Sequence, residues 1–160
     1  YLVTIHAHRP VHLQGSTYRF VALSPAKFFG FQSVRVLTTE VMMAEPEKAI
    51  VDSLDKMHYV GGIVEVTAIL RAARSKVSWE KVGDYALRMH SHALIQRRGY
   101  LVDTLPLPMT DATRDKLHSA IQHGKTYLGP TTTWGTGGQY DATWQIVINV
   151  PREYLLSEAH

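Results

Sequence analysis

The first 43 residues carry apolar side chains in short runs that alternate with polar residues and are separated by turn residues. Runs of this kind, rich in Val, Tyr, Phe and Thr, are typical of β-strands. The pattern predicts strands at 1–8, 11–14, 17–23, 32–37 and 41–43. Because Gly15-Ser16 is a turn signal between two of these runs, the simplest arrangement is an antiparallel meander.

The pattern changes at Glu45, where apolar residues begin to recur at the three- and four-residue intervals of amphipathic helices. Pro46 suits the first position of a helix, and Ser78 is predicted to cap another. A helix junction is predicted at 90–92, and Gly99 has the residue type that commonly follows a helix end. The helical segments are predicted from Pro46 up to 61–62, over 64–73, from Ser78 to 89, in a short helix between 93 and Gly99, and over 111–122.

The C-terminal part contains one further strand pattern. Within 143–150, the bulky side chains of Trp144, Ile146, Ile148 and Val150 fall on one face of a strand. Pro151 is then expected to open a terminal turn or short helix. The sequence therefore predicts an α+β fold with an N-terminal antiparallel strand meander, a central helical group and a C-terminal strand that returns to the sheet.

The composition fits one ordinary globular domain spanning 1–160. With 45% hydrophobic and 19% charged residues, disordered and coiled-coil classes are excluded. Neither a membrane helix nor a signal peptide is visible, and the absence of cysteine predicts a reducing, cytoplasmic setting. Because the chain opens without Met on a strand-like run at Tyr1, we expect it to be a fragment of a longer protein.

Histidine offers one candidate for catalytic chemistry. His6 and His8 are two residues apart, which places both side chains on one face of a strand, and His12 lies nearby. These three residues would be the ligands of a metal-dependent phosphodiesterase or nuclease, with carboxylates supplied by the fold. The alternative is that they are polar positions on a half-exposed strand, and no acidic residue is followed two positions later by Lys, as one common nuclease motif requires.

Other catalytic patterns are weak. The Gly-rich loop 135–138 lacks the Lys-Ser/Thr of a phosphate-binding Walker loop and precedes a strand, so a flexible hairpin loop is the favoured interpretation. Ser24 lacks the flanking glycines of a nucleophile elbow. No catalytic set emerges, and the sequence predicts no cofactor and no enzymatic activity.

The chain is mildly basic, with a net charge of +3 and a sequence pI of about 9.2. Its cations are concentrated in one helical region, where they could follow a phosphate backbone and bind DNA without sequence specificity. The alternative is a solvated helix face with cations near helix C-termini. The predicted phosphate contacts are Arg71, Arg74, Lys76, Lys81, Arg88, Arg97 and Arg98.

Five blocks occur in an order that resembles a known family. They are Arg19-Phe20-Val21, Phe28-Phe29-Gly30, the run from Val41 through Glu45, Pro46, Glu47 and Lys48 to Asp52, the run Arg97-Arg98-Gly99-Tyr100-Leu101-Val102, and the run from Trp144 to Pro151. Together they resemble the C-terminal domain of the AbiEi-type antitoxins of bacterial abortive-infection systems. The block that contains Glu45, Pro46, Glu47, Lys48 and Asp52 is the most specific. From spacing alone, Asp52 is expected to cap the helix or to pair with Lys48 or Lys56, four residues away on either side.

The resemblance implies a transcriptional autoregulator that counteracts a nucleotidyltransferase-like toxin. In that family an N-terminal winged helix-turn-helix domain, which is expected to be missing from this chain, binds promoter DNA. The C-terminal domain supports antitoxicity and sometimes contacts DNA. A further possibility is a structural or dimerising domain with an exposed apolar face around Trp134 and Tyr140.

Overall fold

The fold is described from a computed structural model, which covers residues 1–122 and 124–157. Its helices are α1 (Pro46–Asp55), α2 (Ile63–Ala72), α3 (Trp79–Arg88), α4 (His92–Thr104), α5 (Asp111–Ser119), α6 (Thr131–Trp134) and α7 (Arg152–Leu156). Its strands are β1 (Leu2–Thr4), β2 (Val11–Leu13), β3 (Ser16–Tyr18), β4 (Phe20–Ala22), β5 (Phe31–Val36), β6 (Thr39–Ala44), β7 (Thr126–Tyr127), β8 (Gln139–Asp141) and β9 (Ile146–Ile148). The predicted α+β class is confirmed. Among the helices in these two ranges, none combines the length and the apolarity needed to cross a bilayer.

The N-terminal strands do not form the predicted meander. They make three separate pairs: β2 with β3 and β5 with β6 are antiparallel, whereas β1 and β4 are parallel. The β2–β3 hairpin lies between β1 and β4 in the chain, so β4 comes back to β1 in the same direction. The single strand predicted at 17–23 is divided at Arg19, because its two halves pair with different partners.

The C-terminal strand belongs to a sheet of its own. Strand β9 lies between β7, to which it is parallel, and β8, to which it is antiparallel. The expected return of this strand to the N-terminal sheet is therefore wrong, and the strand is shorter than the predicted 143–150. Its partner β7 has only two residues, which is too short to leave a periodic pattern in the sequence.

The local signals for helix ends are largely confirmed. Pro46 is the first residue of α1, and the Ser78 hydroxyl accepts a hydrogen bond from the Lys81 backbone N–H at 3.3 Å at the start of α3. The predicted junction at 90–92 is also present. His90 has a φ of +49°, and the next residue, Ser91, caps α4.

Helix α4 does not end before Gly99 as predicted but continues to Thr104. Gly99 is buried in the middle of the helix, against the indole ring of Trp144, which is 1% exposed. A Cβ atom at position 99 would lie 2.1 Å from Trp144 Cε3. The glycine is therefore required for close packing and not for a helix end.

The hydrophobic core lies among the helices. Helix α1 packs against α2, α3 and α4, and its Val51 and Leu54 are fully buried. Phe29 joins this core from the N-terminal region, and Trp144 and Ile146 join it from the C-terminal region. The N-terminal strand pairs themselves are mostly exposed and lie on the outside of the helical core.

Candidate functional site

Arg98, one of the seven predicted phosphate contacts, is buried. Its side chain is 1% exposed, and its Nη2 donates a hydrogen bond to the backbone carbonyl of Trp79 at 2.9 Å. Burial lowers the pKa of Arg98 to about 10. A guanidinium in this position cannot reach a DNA phosphate, so the prediction for Arg98 is corrected.

Two more of the predicted arginines hold backbone carbonyls. The guanidinium of Arg71 donates to the carbonyls of Leu155 and Ser157, which attaches α7 to α2. The Nε of Arg97 donates to the Tyr127 carbonyl at 3.1 Å, which attaches β7 to α4. Both side chains are half-buried, and each of these hydrogen bonds joins two elements of the fold.

Two of the remaining four cations contact other side chains, and within the described residues the other two form no side-chain hydrogen bond or ion pair. Lys81 Nζ lies 3.1 Å from a Glu45 carboxylate oxygen, and the exposed Arg88 stacks over the Phe29 ring at 4.0 Å from its centroid. Arg74 and Lys76 are exposed, and within 1–122 and 124–157 their side chains have no hydrogen bond or ion pair. The seven predicted residues therefore do not form one continuous strip of free cations.

The histidine set does not form a metal site. His6, His8 and His12 are exposed, and His12 Nδ1 is 3.0 Å from the hydroxyl of Thr17. Strand β1 ends at Thr4, so His6 and His8 lack the regular strand geometry that would place them on one face. In the part of the chain that the structure describes, no three His, Asp or Glu side chains are grouped as metal ligands. The alternative that His6, His8 and His12 are metal ligands is therefore not supported by the described residues.

The motif block forms a polar junction between α1 and α3. Glu45 accepts a hydrogen bond from the Tyr85 hydroxyl, besides its ion pair with Lys81, and Glu47 Oε1 accepts one from the Ser78 backbone N–H at 3.1 Å. The Tyr85 hydroxyl and the Lys81 ammonium together lower the pKa of Glu45. The same hydrogen bond raises the pKa of Tyr85. Two carboxylates of the motif thus fix the start of α1 against α3.

Lys48 and Asp52 form the inner part of this junction. The Lys48 side chain is fully buried, its ammonium pairs with Asp52, and it lies 4.9 Å from the centroid of the Phe29 ring. Burial raises the pKa of Asp52 more than the Lys48 charge lowers it. Of the two partners expected for Asp52, the structure selects Lys48. We call Glu45, Glu47, Lys48, Asp52, Lys81 and Tyr85 the motif junction.

Gly30 in the Phe28-Phe29-Gly30 block also belongs to this region. It has a φ of +74°, and a Cβ atom there would lie 2.9 Å from the Cβ of Lys48. Only glycine adopts this conformation without strain while the backbone passes so close to Lys48. Two separate blocks of the sequence therefore meet at one place in the structure.

Sequence reasoning missed the partners that complete the junction. Tyr85 is partly buried against the core, and a helical pattern gives no signal for a contact made by its hydroxyl. Trp134 and Tyr140 do not form the suggested exposed apolar face, because Trp134 is partly buried against the core and only Tyr140 is exposed. Lys125 and Arg97, which line one cavity, are 28 residues apart, and nothing in the sequence links them.

No protein-family model, curated protein or solved structure matches the chain.

Proposed function

We propose that this chain is the C-terminal domain of a cytoplasmic AbiEi-type antitoxin and transcriptional regulator that counteracts a nucleotidyltransferase-like toxin. It acts by presenting a surface and carries out no chemistry of its own. Promoter DNA is bound mainly through an N-terminal winged-helix domain. The C-terminal domain described here adds auxiliary contacts to DNA phosphates.

The motif junction is the observation that carries this proposal. The most specific block of the resemblance supplies four charged residues, and all four have partners within the protein: Glu45, Glu47, Lys48 and Asp52. These pairings join the start of α1 to α3 and place the Lys48 ammonium beside the Phe29 ring. A motif of this kind supports a role in shaping a domain that binds other molecules.

The DNA-contact part is best supported for Arg74 and Lys76. Both are exposed, and they lie two residues apart in the segment between α2 and α3. Each cation that neutralises a phosphate contributes about 0.9 to the slope of log K against log salt for duplex DNA. Two contacts would therefore contribute a slope of about 1.8.

Growth rescue tests the antitoxin role. Cells that express the toxin encoded beside the full-length gene should recover growth when this chain, or the full-length protein, is expressed with it. Failure of both the chain and the full-length protein to restore growth would remove the antitoxin assignment.

Operator binding over a range of salt concentrations tests the DNA contacts. In the full-length protein, the double variant Arg74→Glu and Lys76→Glu should weaken binding and lower the salt slope by about 1.8. Lys116→Glu is the control, because it reverses an exposed cation on α5. If both variants leave the slope unchanged, this domain does not contact the phosphates through Arg74 and Lys76.

A further inference from the structure

A cavity of about 290 Å³ lies between α4, β7 and the start of α6. Its lining includes Arg97, Lys125, Thr126, Tyr127 and Thr131. Two of its lining residues are cations, Arg97 and Lys125, and none of its lining residues is a carboxylate. A cavity with this lining favours an anion.

Arg97 is held in a fixed position at this cavity. Its Nε donates to the Tyr127 carbonyl at 3.1 Å, which orients the planar guanidinium. Among residues 1–122 and 124–157, neither Nη atom has a hydrogen-bond or ion-pair partner. Burial lowers the pKa of Arg97, and the charge of Asp55 opposes this only in part. A half-buried cation whose two outer nitrogen atoms are free is suited to a planar, two-point contact with an oxyanion.

The walls around Arg97 are also held by hydrogen bonds. The Thr126 hydroxyl donates to Gln96, whose amide nitrogen donates to the Gln145 carbonyl at 2.9 Å. On the other side, the Gly129 backbone N–H donates to Asn149 Oδ1 at 2.9 Å. Lys125 Nζ lies 5.3 Å from the centroid of the Tyr127 ring, and Tyr127 is the residue whose carbonyl Arg97 contacts. The Arg97 side of the cavity is therefore fixed by hydrogen bonds, whereas the Lys125 side chain is exposed.

We propose that this cavity binds a phosphate monoester group on a small molecule, with Arg97 and Lys125 as the anion-binding residues. A phosphate monoester carries about −1.5 to −2 charges at pH 7, which matches two cations, whereas a phosphodiester carries about half of that. The guanidinium contacts two phosphate oxygens, and the ammonium neutralises the second charge. This inference is independent of the antitoxin assignment, because it concerns the isolated chain and needs neither toxin nor operator.

Titration of the chain with glycerol 3-phosphate, followed by calorimetry or by backbone amide shifts, tests the proposal. Saturable binding is expected at one site, with the largest shifts at Thr126 and Tyr127. Arg97→Gln and Lys125→Gln should each weaken binding at least about tenfold, whereas Arg74→Gln, an exposed cation elsewhere, should leave it unchanged. Absence of saturable binding, or equal binding by all variants, would overturn the proposal.

Two further measurements are needed. One compares phosphate diesters with the monoester, and the other checks that the Arg97 variant is folded. Dimethyl phosphate and a DNA duplex without terminal phosphates should bind at least about tenfold more weakly than glycerol 3-phosphate, and equal or tighter binding would overturn the monoester assignment. Arg97→Gln removes a hydrogen bond to β7, so its fold is checked by circular dichroism. If it is unfolded, Lys125→Gln decides alone, because it changes an exposed side chain.

Discussion

The fully buried ammonium of Lys48 pairs with the carboxylate of Asp52 one turn later in α1. The two residues belong to the sequence block 41–52. Their charges are satisfied inside the protein, beside the Phe29 ring. The pair explains why this block needs both a cation and an anion at four-residue spacing, and it leads to the first prediction.

Removal of one partner of this pair should destabilise the fold strongly. Asp52→Ala leaves the Lys48 ammonium buried without a counter-ion, which costs about 3 kcal/mol in the free energy of unfolding. The double variant Lys48→Met and Asp52→Leu should be less destabilised than Asp52→Ala, because no buried charge remains. Urea unfolding measures both values. A loss below about 1 kcal/mol in Asp52→Ala would show that Lys48 does not depend on this carboxylate.

Glu45 should make the fold sensitive to acid. Its pKa in the folded protein is lowered from the ordinary value of 4.5 by the Tyr85 hydroxyl and the Lys81 ammonium. A carboxyl group with a lowered folded pKa contributes stability that is complete above its unfolded pKa and is lost as pH falls through the folded pKa. Glu45→Gln should therefore be less stable at pH 7 and should lose less stability between pH 5 and pH 3.

Unfolding midpoints measured across this pH range check the Glu45 prediction. Glu80→Gln, which changes an exposed carboxylate in the first turn of α3, is the matched control and should keep the acid dependence of the wild type. The same acid dependence in Glu45→Gln and in the wild type would contradict the role of Glu45.

Gly99→Ala should lower the free energy of unfolding by more than the gain in helix propensity can raise it. The new Cβ would lie 2.1 Å from the Trp144 ring, so the ring or the helix must move. We expect a loss of at least about 2 kcal/mol in the free energy of unfolding. Gly137→Ala, where a Cβ meets open space, should stay within about 0.5 kcal/mol of the wild type. Equal stability of the two variants would contradict the packing of Trp144 on Gly99.

Arg98→Met tests whether Arg98 is separate from DNA binding. Arg98 is buried, and in the described part of the chain its Nε atom has no hydrogen-bond partner and its guanidinium has no ion pair. Arg98→Met removes a buried charge that has no counter-ion but also removes the hydrogen bond to the Trp79 carbonyl, so the free energy of unfolding should change by less than about 1 kcal/mol in either direction. The salt slope of operator binding by the full-length protein should not change. A slope lowered by about 1 would place Arg98 on a phosphate after all.

Local signals predicted the helical part of the fold well. Pro46 and Ser78 act within one turn of their own positions, so the starts of α1 and α3 could be read from the sequence. Gly99 shows the limit, because its local pattern indicates a helix end, whereas its actual role depends on Trp144, 45 residues away. The parallel pairing of β1 with β4 is likewise non-local and follows no local pattern.

The candidate site was predictable only in part. The i, i+4 spacing of Lys48 and Asp52 correctly predicted one of two possible pairs. A charge pattern, however, does not show which cations are buried or paired inside the folded protein. Arg98 is buried, Arg71 binds C-terminal carbonyls and Lys81 pairs with Glu45, and each partner comes from a distant part of the chain.

Growth of toxin-expressing cells tests the central claim most directly, because that claim is that the folded chain neutralises the toxin through its surface. Co-expression of the wild-type chain and of Gly137→Ala should restore growth, and a Gly99→Ala chain that is unfolded at the growth temperature should not. Growth that is restored by neither the wild-type chain nor the full-length protein, or that is restored equally by the unfolded variant, would contradict the account.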